Sequence, residues 1–146
     1  MQNIVWKRPD GGVCVYWLVD AVDPAEEEAR LKINRDIPAD YEHVCSNATY
    51  PPDKTWRAAW AWITDDPVID ICPVRAVEVT KARLRLERAP LLAELDLAYM
   101  RADESGDVEA KKKIAAEKQR LRDLPNKAHE IAHGDLQALA ALKASA

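Results

Sequence analysis

The stretch KARLRLERAPLLAELDLAYMRADESGDVEAKKKIAAEKQRLRD, residues 81–123, predicts two consecutive helices. Good helix formers, above all Ala, Leu, Glu, Lys and Arg, fill it on both sides of Ser105-Gly106-Asp107. Glycine commonly follows the last residue of a helix and aspartate is a preferred N-cap, so these three residues predict a reversal of the chain. The second helix should run from Val108 to about Leu124. The stretch therefore predicts a helical hairpin.

The first helix of this hairpin should begin at Pro73, since proline is favoured at the first helical position. Lys81 and Arg88 interrupt its apolar seam, and Pro90 should kink it by removing one backbone hydrogen bond. The seam has a heptad-like spacing and consists of Val77, Leu84, Leu91, Leu95 and Ala98. We expect this seam to pair with other copies or with partner proteins, with Tyr99 as a further contact residue.

Upstream of Pro73, β-branched and aromatic residues separated by turn signals predict a small antiparallel sheet. Ile4–Lys7 and Val13–Leu18 flank RPDGG, residues 8–12, which is typical of a β-hairpin turn. Both faces of the second strand are apolar, so we expect this strand to be central or covered on both sides. Tyr41–Cys45 should form another short strand.

Asp23-Pro24 predicts the start of a helix within this half of the chain, with Asp23 as N-cap and Pro24 at the first position. Ala25, Ala29 and Ile33 follow at helical spacing and should form its buried stripe.

KTWRAAWAWI, residues 54–63, combines helical with strand spacing. We expect one turn around Thr55–Ala58, followed by a strand. A turn at Asp65-Asp66-Pro67 should then lead into Val68–Ile71, giving a second hairpin. Three tryptophans of this region are candidates either for the core or for a docking face: Trp56, Trp60 and Trp62.

These patterns together predict an α+β protein. A small N-terminal antiparallel β-sheet unit with one helix should occupy residues 1–72, followed by a long C-terminal α-helical hairpin over residues 73–124. Residues 125–146 should form a short helical tail that frays at the chain end.

Composition and charge exclude several classes of function. The net charge of −4 disfavours nucleic-acid binding, which requires a basic face. The longest nearly uncharged apolar stretch, Val13–Val19, is too short to span a bilayer, so we expect no membrane association. The first residues, MQNIVWKRPDGG, lack a signal-peptide core, which favours synthesis in the cytoplasm. We find no phosphate-binding loop and expect no cofactor.

The three cysteines, Cys14, Cys45 and Cys72, are dispersed and none belongs to a CxxC pair. Buried free thiols are the simplest interpretation. The alternative is an inter-subunit disulfide through Cys45 or Cys72, which end their segments beside loop or proline breaks and should be more accessible than Cys14.

HEIAH, residues 129–133, has the spacing of a zinc hydrolase motif. On a helix, His129 and His133 would lie one turn apart, with Glu130 beside them as a general base. A catalytic zinc needs a third protein ligand, and after His133 the chain offers only Asp135, which is poorly placed. We therefore interpret the motif as accidental and expect neither a metal site nor an enzyme; a zinc hydrolase remains a remote alternative.

Two segments, PDKTWRAAWAW and the quoted stretch from residue 81 to 123, resemble a group of small bacteriophage proteins encoded among tail and virion structural genes, common in phages and prophages of alphaproteobacteria. Members have patterns similar to "DRTFRNAW" and "RAPLLAALDVEYMRA". The resemblance extends from Ile4 to about Asp123, and the HEIAH tail departs from it. The matching residues include Asp53, Thr55, Arg57, Ala59, Trp60, Arg88 to Leu92, Leu95, Asp96, Tyr99 to Ala102, Gly106-Asp107, Lys118, Gln119 and Leu121 to Asp123.

The resemblance implies a virion or tail-assembly context without enzymatic activity. We expect a virion structural protein that is synthesised in the host cytoplasm, contacts other phage structural proteins and forms a homo-oligomer. A tail or tail-fibre assembly chaperone, absent from the mature particle, is the alternative.

Overall fold

The computed structural model describes residues 2–19, 22–63 and 66–145. It divides into two compact units, an N-terminal unit of Met1–Arg75 and a C-terminal unit of Ala76–Ala146. A small antiparallel sheet lies in the first and long helices lie in the second, so the predicted α+β class is confirmed. The break falls between Arg75 and Ala76, slightly beyond the predicted boundary after residue 72.

The N-terminal unit contains a three-stranded antiparallel sheet of β1 (Asn3–Lys7), β2 (Val13–Trp17) and β3 (Glu42–Ser46) in the order β2-β1-β3. The first hairpin turns through Gly11, whose φ of 80° favours glycine. β2 was expected to be central or covered on both sides, and the second alternative is found: β1 lies between the other two strands, while cores lie against both faces of β2. β2 is apolar on both faces because a core lies on each face of the sheet. A strand can be covered on both faces in this way without a hydrogen-bonded strand on each of its edges.

The two cores use alternate residues of the strands. Ile4 and Trp6 of β1 point into one core and Val5 points into the other, as the two-residue period of a strand requires. The first core consists of Ile4, Trp6, Leu18 and Leu31, and the second of Val5, Ala48, Trp60 and Ile69. The buried Asn3 side chain both donates to and accepts from the backbone of Ala48, at 2.9 and 3.0 Å, which holds this loop beside β1.

Helix α1 (Pro24–Asn34) begins as predicted, with a carboxylate oxygen of Asp23 accepting from the Ala25 backbone N–H at 2.7 Å. Its buried residue is Leu31, which packs with Trp6. The predicted stripe is wrong: Ala25 and Ala29 are exposed, and Ile33 is 80% exposed.

The second hairpin is confirmed. A single 3-10 turn at Arg57–Ala59 precedes β4 (Trp60–Trp62), which pairs antiparallel with β5 (Ile69–Ile71). Asp65 of the predicted turn lies outside the described residues.

The C-terminal unit is built on α2 (Pro73–Glu104) and α3 (Val108–Asp123), and α2 continues on both sides of Pro90. The reversal forms as predicted. Gly106 has a φ of 72°, the Asp107 N–H donates to the Ala102 carbonyl at 2.9 Å, and the Asp107 carboxylate accepts from the Ala110 N–H at 2.9 Å. These bonds satisfy backbone groups that both helix ends would otherwise leave unpaired.

The C-terminal tail packs onto this hairpin. A 3-10 helix (Leu124–His129) and the short α4 (Leu136–Ala141) bring Ala144 into one buried cluster with Leu84, Leu121 and Leu124. Hairpin and tail thus belong to one compact unit, whereas residues 125–146 were predicted to be a separate segment.

Candidate functional site

An exposed apolar stripe runs along α2 in the C-terminal unit. Its members recur at intervals of three or four residues and therefore lie on one side of the helix. Leu86, Leu97 and Met100 are 77%, 50% and 59% exposed. The stripe spans roughly 27 Å at 1.5 Å per residue. We call it the exposed α2 face, and its residues are Ala82, Leu86, Ala89, Ala93, Leu97 and Met100.

The opposite side of α2 holds the hairpin together. Leu84 is fully buried, and Leu91 and Leu95 are half-buried against the cluster that contains Leu121. These three leucines were predicted to contact other proteins. The expectation is corrected for Leu84, which has no accessible surface, and the other two have most of theirs covered by their own unit.

Tyr99 is also engaged within its own unit. The ammonium groups of Lys111 and Lys118 lie 5.5 and 5.3 Å from its ring centroid, as in cation–π contacts. Lys111 pairs with Asp103, and Lys118 pairs with Asp96. The hydrogen bond to Asp103 raises the pKa of Lys111, since it favours the charged ammonium. Tyr99 therefore joins α2 to α3 and presents little free surface.

The tryptophans of the N-terminal unit do not form an exposed docking face. Trp56 and Trp60 are 6% and 2% exposed, and Trp62 is half-buried beside the core that contains Val5. The interpretation of Trp56 and Trp60 as contact residues is corrected: both are core residues.

HEIAH does not lie on an α-helix. His129 ends the 3-10 helix, and the chain then turns through Glu130 to His133. The two histidines are exposed and do not occupy successive turns of one helix, so the geometric premise of the zinc motif is absent. Nε2 of His129 lies 2.9 Å from the Lys81 ammonium, which can only donate, so this nitrogen accepts from a cation. No group of three metal-ligating side chains occurs among the described residues.

All three cysteines are free and half-buried. The expected difference in accessibility between Cys14 and the other two is not found. Desolvation by the surrounding core raises the pKa of the Cys45 thiol, which lowers the fraction of reactive thiolate at neutral pH. A disulfide through Cys45 would require the Cys45 thiol to become more exposed than it is in this structure.

In comparisons with protein-family models, curated proteins and solved structures, nothing matches this chain. Among the described residues, no helix is both long and apolar enough to cross a membrane.

Proposed function

We propose that this protein is a non-enzymatic structural component of a bacteriophage virion, acting through protein–protein contacts with copies of itself and with other phage structural proteins. The observation that carries the proposal is the exposed α2 face, because monomeric proteins rarely leave a long contiguous apolar stripe uncovered. The resemblance of residues 52–62 and 81–123 to small phage proteins supplies the virion context.

The exposed α2 face suits pairing with a second copy in antiparallel orientation. Its two central residues, Ala89 and Ala93, are small and allow close approach of two helices. With these alanines at the midpoint, Leu86 of one copy meets Leu97 of the other. The pattern reads almost the same in both directions, as an isologous two-fold contact requires. At one border, Arg85 approaches Asp96 of the second copy, an attractive pair.

The expected self-association is weak. Covering the three large side chains in both copies yields on the order of 5–10 kcal/mol, since each is only partly exposed. Association costs about 4–15 kcal/mol in lost rigid-body freedom. A dissociation constant of about 100 µM or above is therefore expected in dilute solution. Within a particle, where neighbouring subunits fix the copies close together, the same contact would form readily.

Sedimentation equilibrium tests the contact surface. Leu86→Glu should abolish self-association, because it places a charge in the middle of the exposed α2 face. Val108→Glu is the matched control: Val108 is 60% exposed in the same unit and lies at the start of α3, outside the face. Equal association of both variants would contradict the assignment of the surface.

Mass spectrometry of purified virions tests the biological role. A structural component should be present in particles at a fixed ratio to the other virion proteins. Absence from particles that cannot form without the protein would establish the assembly-chaperone alternative in its place.

A further inference from the structure

A second surface with features of a binding site lies in the N-terminal unit, along the outer edge of β2. The register of the β1–β2 ladder determines which backbone groups face that edge. Arg8 donates to Gly12 at one end of the ladder, and Leu18 donates to Gln2 at the other. Hydrogen-bonded pairs alternate with non-bonded pairs in an antiparallel ladder. The backbone N–H and C=O groups of Val13, Val15 and Trp17 therefore point away from β1.

This edge is available along most of its length. The start of this edge is taken by an isolated antiparallel bridge between Gly12 and Ala61. Because the Gly12 backbone already bonds to Arg8 and Asp10, the bridge is formed through the residues beside Gly12, and the Val13 N–H is not free. The chain preceding β4 forms the 3-10 turn Arg57–Ala59, whose Arg57 and Ala58 line one cleft together with Val13 and Val15. The other edge of the sheet differs, because β3 pairs with β1 through a register shift beside Val5. Such bulges blunt an edge against strand addition, whereas β2 keeps a regular register.

A cleft of about 480 Å³ lies beside this free edge. Val13 and Val15 form one wall, and Tyr41 and Trp60 add aromatic surface. Arg8 and Arg57 supply two guanidinium groups. The cleft has no acidic lining residue among the described positions, and its described lining is therefore cationic as well as apolar.

The two arginines differ in their partners. Arg8 is held by a bidentate pair with Asp10, at 2.9 and 3.1 Å. Arg57 has no ion pair among the described residues, and its guanidinium carbon lies 6.0 Å from the Trp60 ring. Arg57 can therefore pair with the carboxylate of a ligand without breaking an ion pair within the protein.

We propose that β2 binds an extended peptide segment of another protein by strand addition, and that an acidic side chain of this segment pairs with Arg57. Main-chain bonds to Val15 and Trp17 would supply affinity, and the cationic cleft would supply selectivity. A second copy of β2 is a poorer occupant. Antiparallel pairing centred on Val15 would bring the arginines of one copy towards Lys54 of the other, which lies 5.8 Å from the Trp17 ring. The inference uses the N-terminal unit alone and does not rest on the exposed α2 face.

A panel of hexapeptides tests this inference on the full chain. Valine and threonine alternate in each peptide, and one aspartate occupies each position in turn; an identical panel carries asparagine instead. At least one acidic peptide should bind below about 1 mM, and its asparagine counterpart should bind about fivefold more weakly. Arg57→Gln should abolish this difference, whereas the control Lys54→Gln should preserve it.

Amide exchange measured by NMR supplies the decisive pattern. Bound peptide should slow exchange at Val15 and Trp17, while Cys14 and Tyr16, already bonded to β1, and Val13, beside the Gly12–Ala61 bridge, should change little. Three results would overturn the proposal: no binding by any acidic peptide up to about 2 mM, binding that leaves the Val15 and Trp17 amides unchanged, or protection of those two amides by self-association without peptide.

Discussion

Arg83 should control whether the C-terminal tail stays on the hairpin. Its Nη2 donates to the carbonyls of Leu139 and Leu142, at 3.1 and 2.8 Å. Hydrogen bonds from charged groups are worth about 1.5–3 kcal/mol each. The side chain is 35% exposed, so water competes for part of this energy. We therefore estimate about 2–3 kcal/mol for both bonds together. Arg83→Gln removes the charge and the fork geometry that reaches both carbonyls.

The expected consequence is local opening of the tail at a smaller cost than global unfolding. Hydrogen exchange at the Leu139 amide, which donates within α4 to Asp135 at 3.1 Å, is the reporter. A loss of 2–3 kcal/mol should speed this exchange by about 30- to 150-fold. Amides in the middle of α3 should change far less. Arg101→Gln is the control, because Arg101 is exposed on the same helix and forms no described contact with the tail. Equal exchange at Leu139 in both variants would refute the reasoning.

Three further outcomes are expected. Leu84→Ala should lower the free energy of unfolding by about 2–5 kcal/mol in urea, since Leu84 is fully buried; a loss below about 1 kcal/mol would contradict its place in the core. The Gly12 backbone N–H holds the pKa of Asp10 below its ordinary value, so Asp10 stabilises the fold above about pH 4 and this contribution disappears as the pH falls further. Asp10→Asn should therefore flatten the acid titration of tryptophan fluorescence, and an unchanged titration would count against this role of Asp10. Protein purified without an affinity tag should contain well under one zinc per chain, and a stoichiometric zinc that disappears in His133→Ala would reverse our interpretation of HEIAH.

Elements bounded by local signals could be predicted from the sequence. Asp23-Pro24 and Gly106-Asp107 act through hydrogen bonds within a few residues of themselves, so their effect does not depend on the rest of the fold. The order of the strands could not be predicted in this way. Both strands of the first hairpin are apolar, and β1 becomes central only because β3, far along the chain, pairs with it.

The buried faces of the helices depend on similarly distant partners. Leu31 and Ile33 are both apolar, and the sheet determines that Leu31 packs on Trp6 while Ile33 faces solvent. α2 carries two apolar stripes, both visible in the sequence. The stripe richer in leucine packs inside the hairpin because it removes more apolar area from water, and the stripe richer in alanine stays exposed. Helical spacing alone does not choose between them.

The residues that interrupt the apolar seam of α2 explain how such a polar hairpin holds together. Arg88 donates to the carbonyls of Leu121 and Arg122, at 3.2 and 2.6 Å, at the carboxyl end of α3, where unpaired carbonyls attract a cation. Lys81 contacts His129 at the end of the following 3-10 helix. Arg88 therefore binds the last turn of α3, and Lys81 binds the 3-10 helix that follows it, at the positions where leucines would have extended the seam. Charged side chains on α2 thus supply contacts that hydrophobic periodicity does not reveal, and Arg83 in the same way holds the tail that the sequence predicts to be loose.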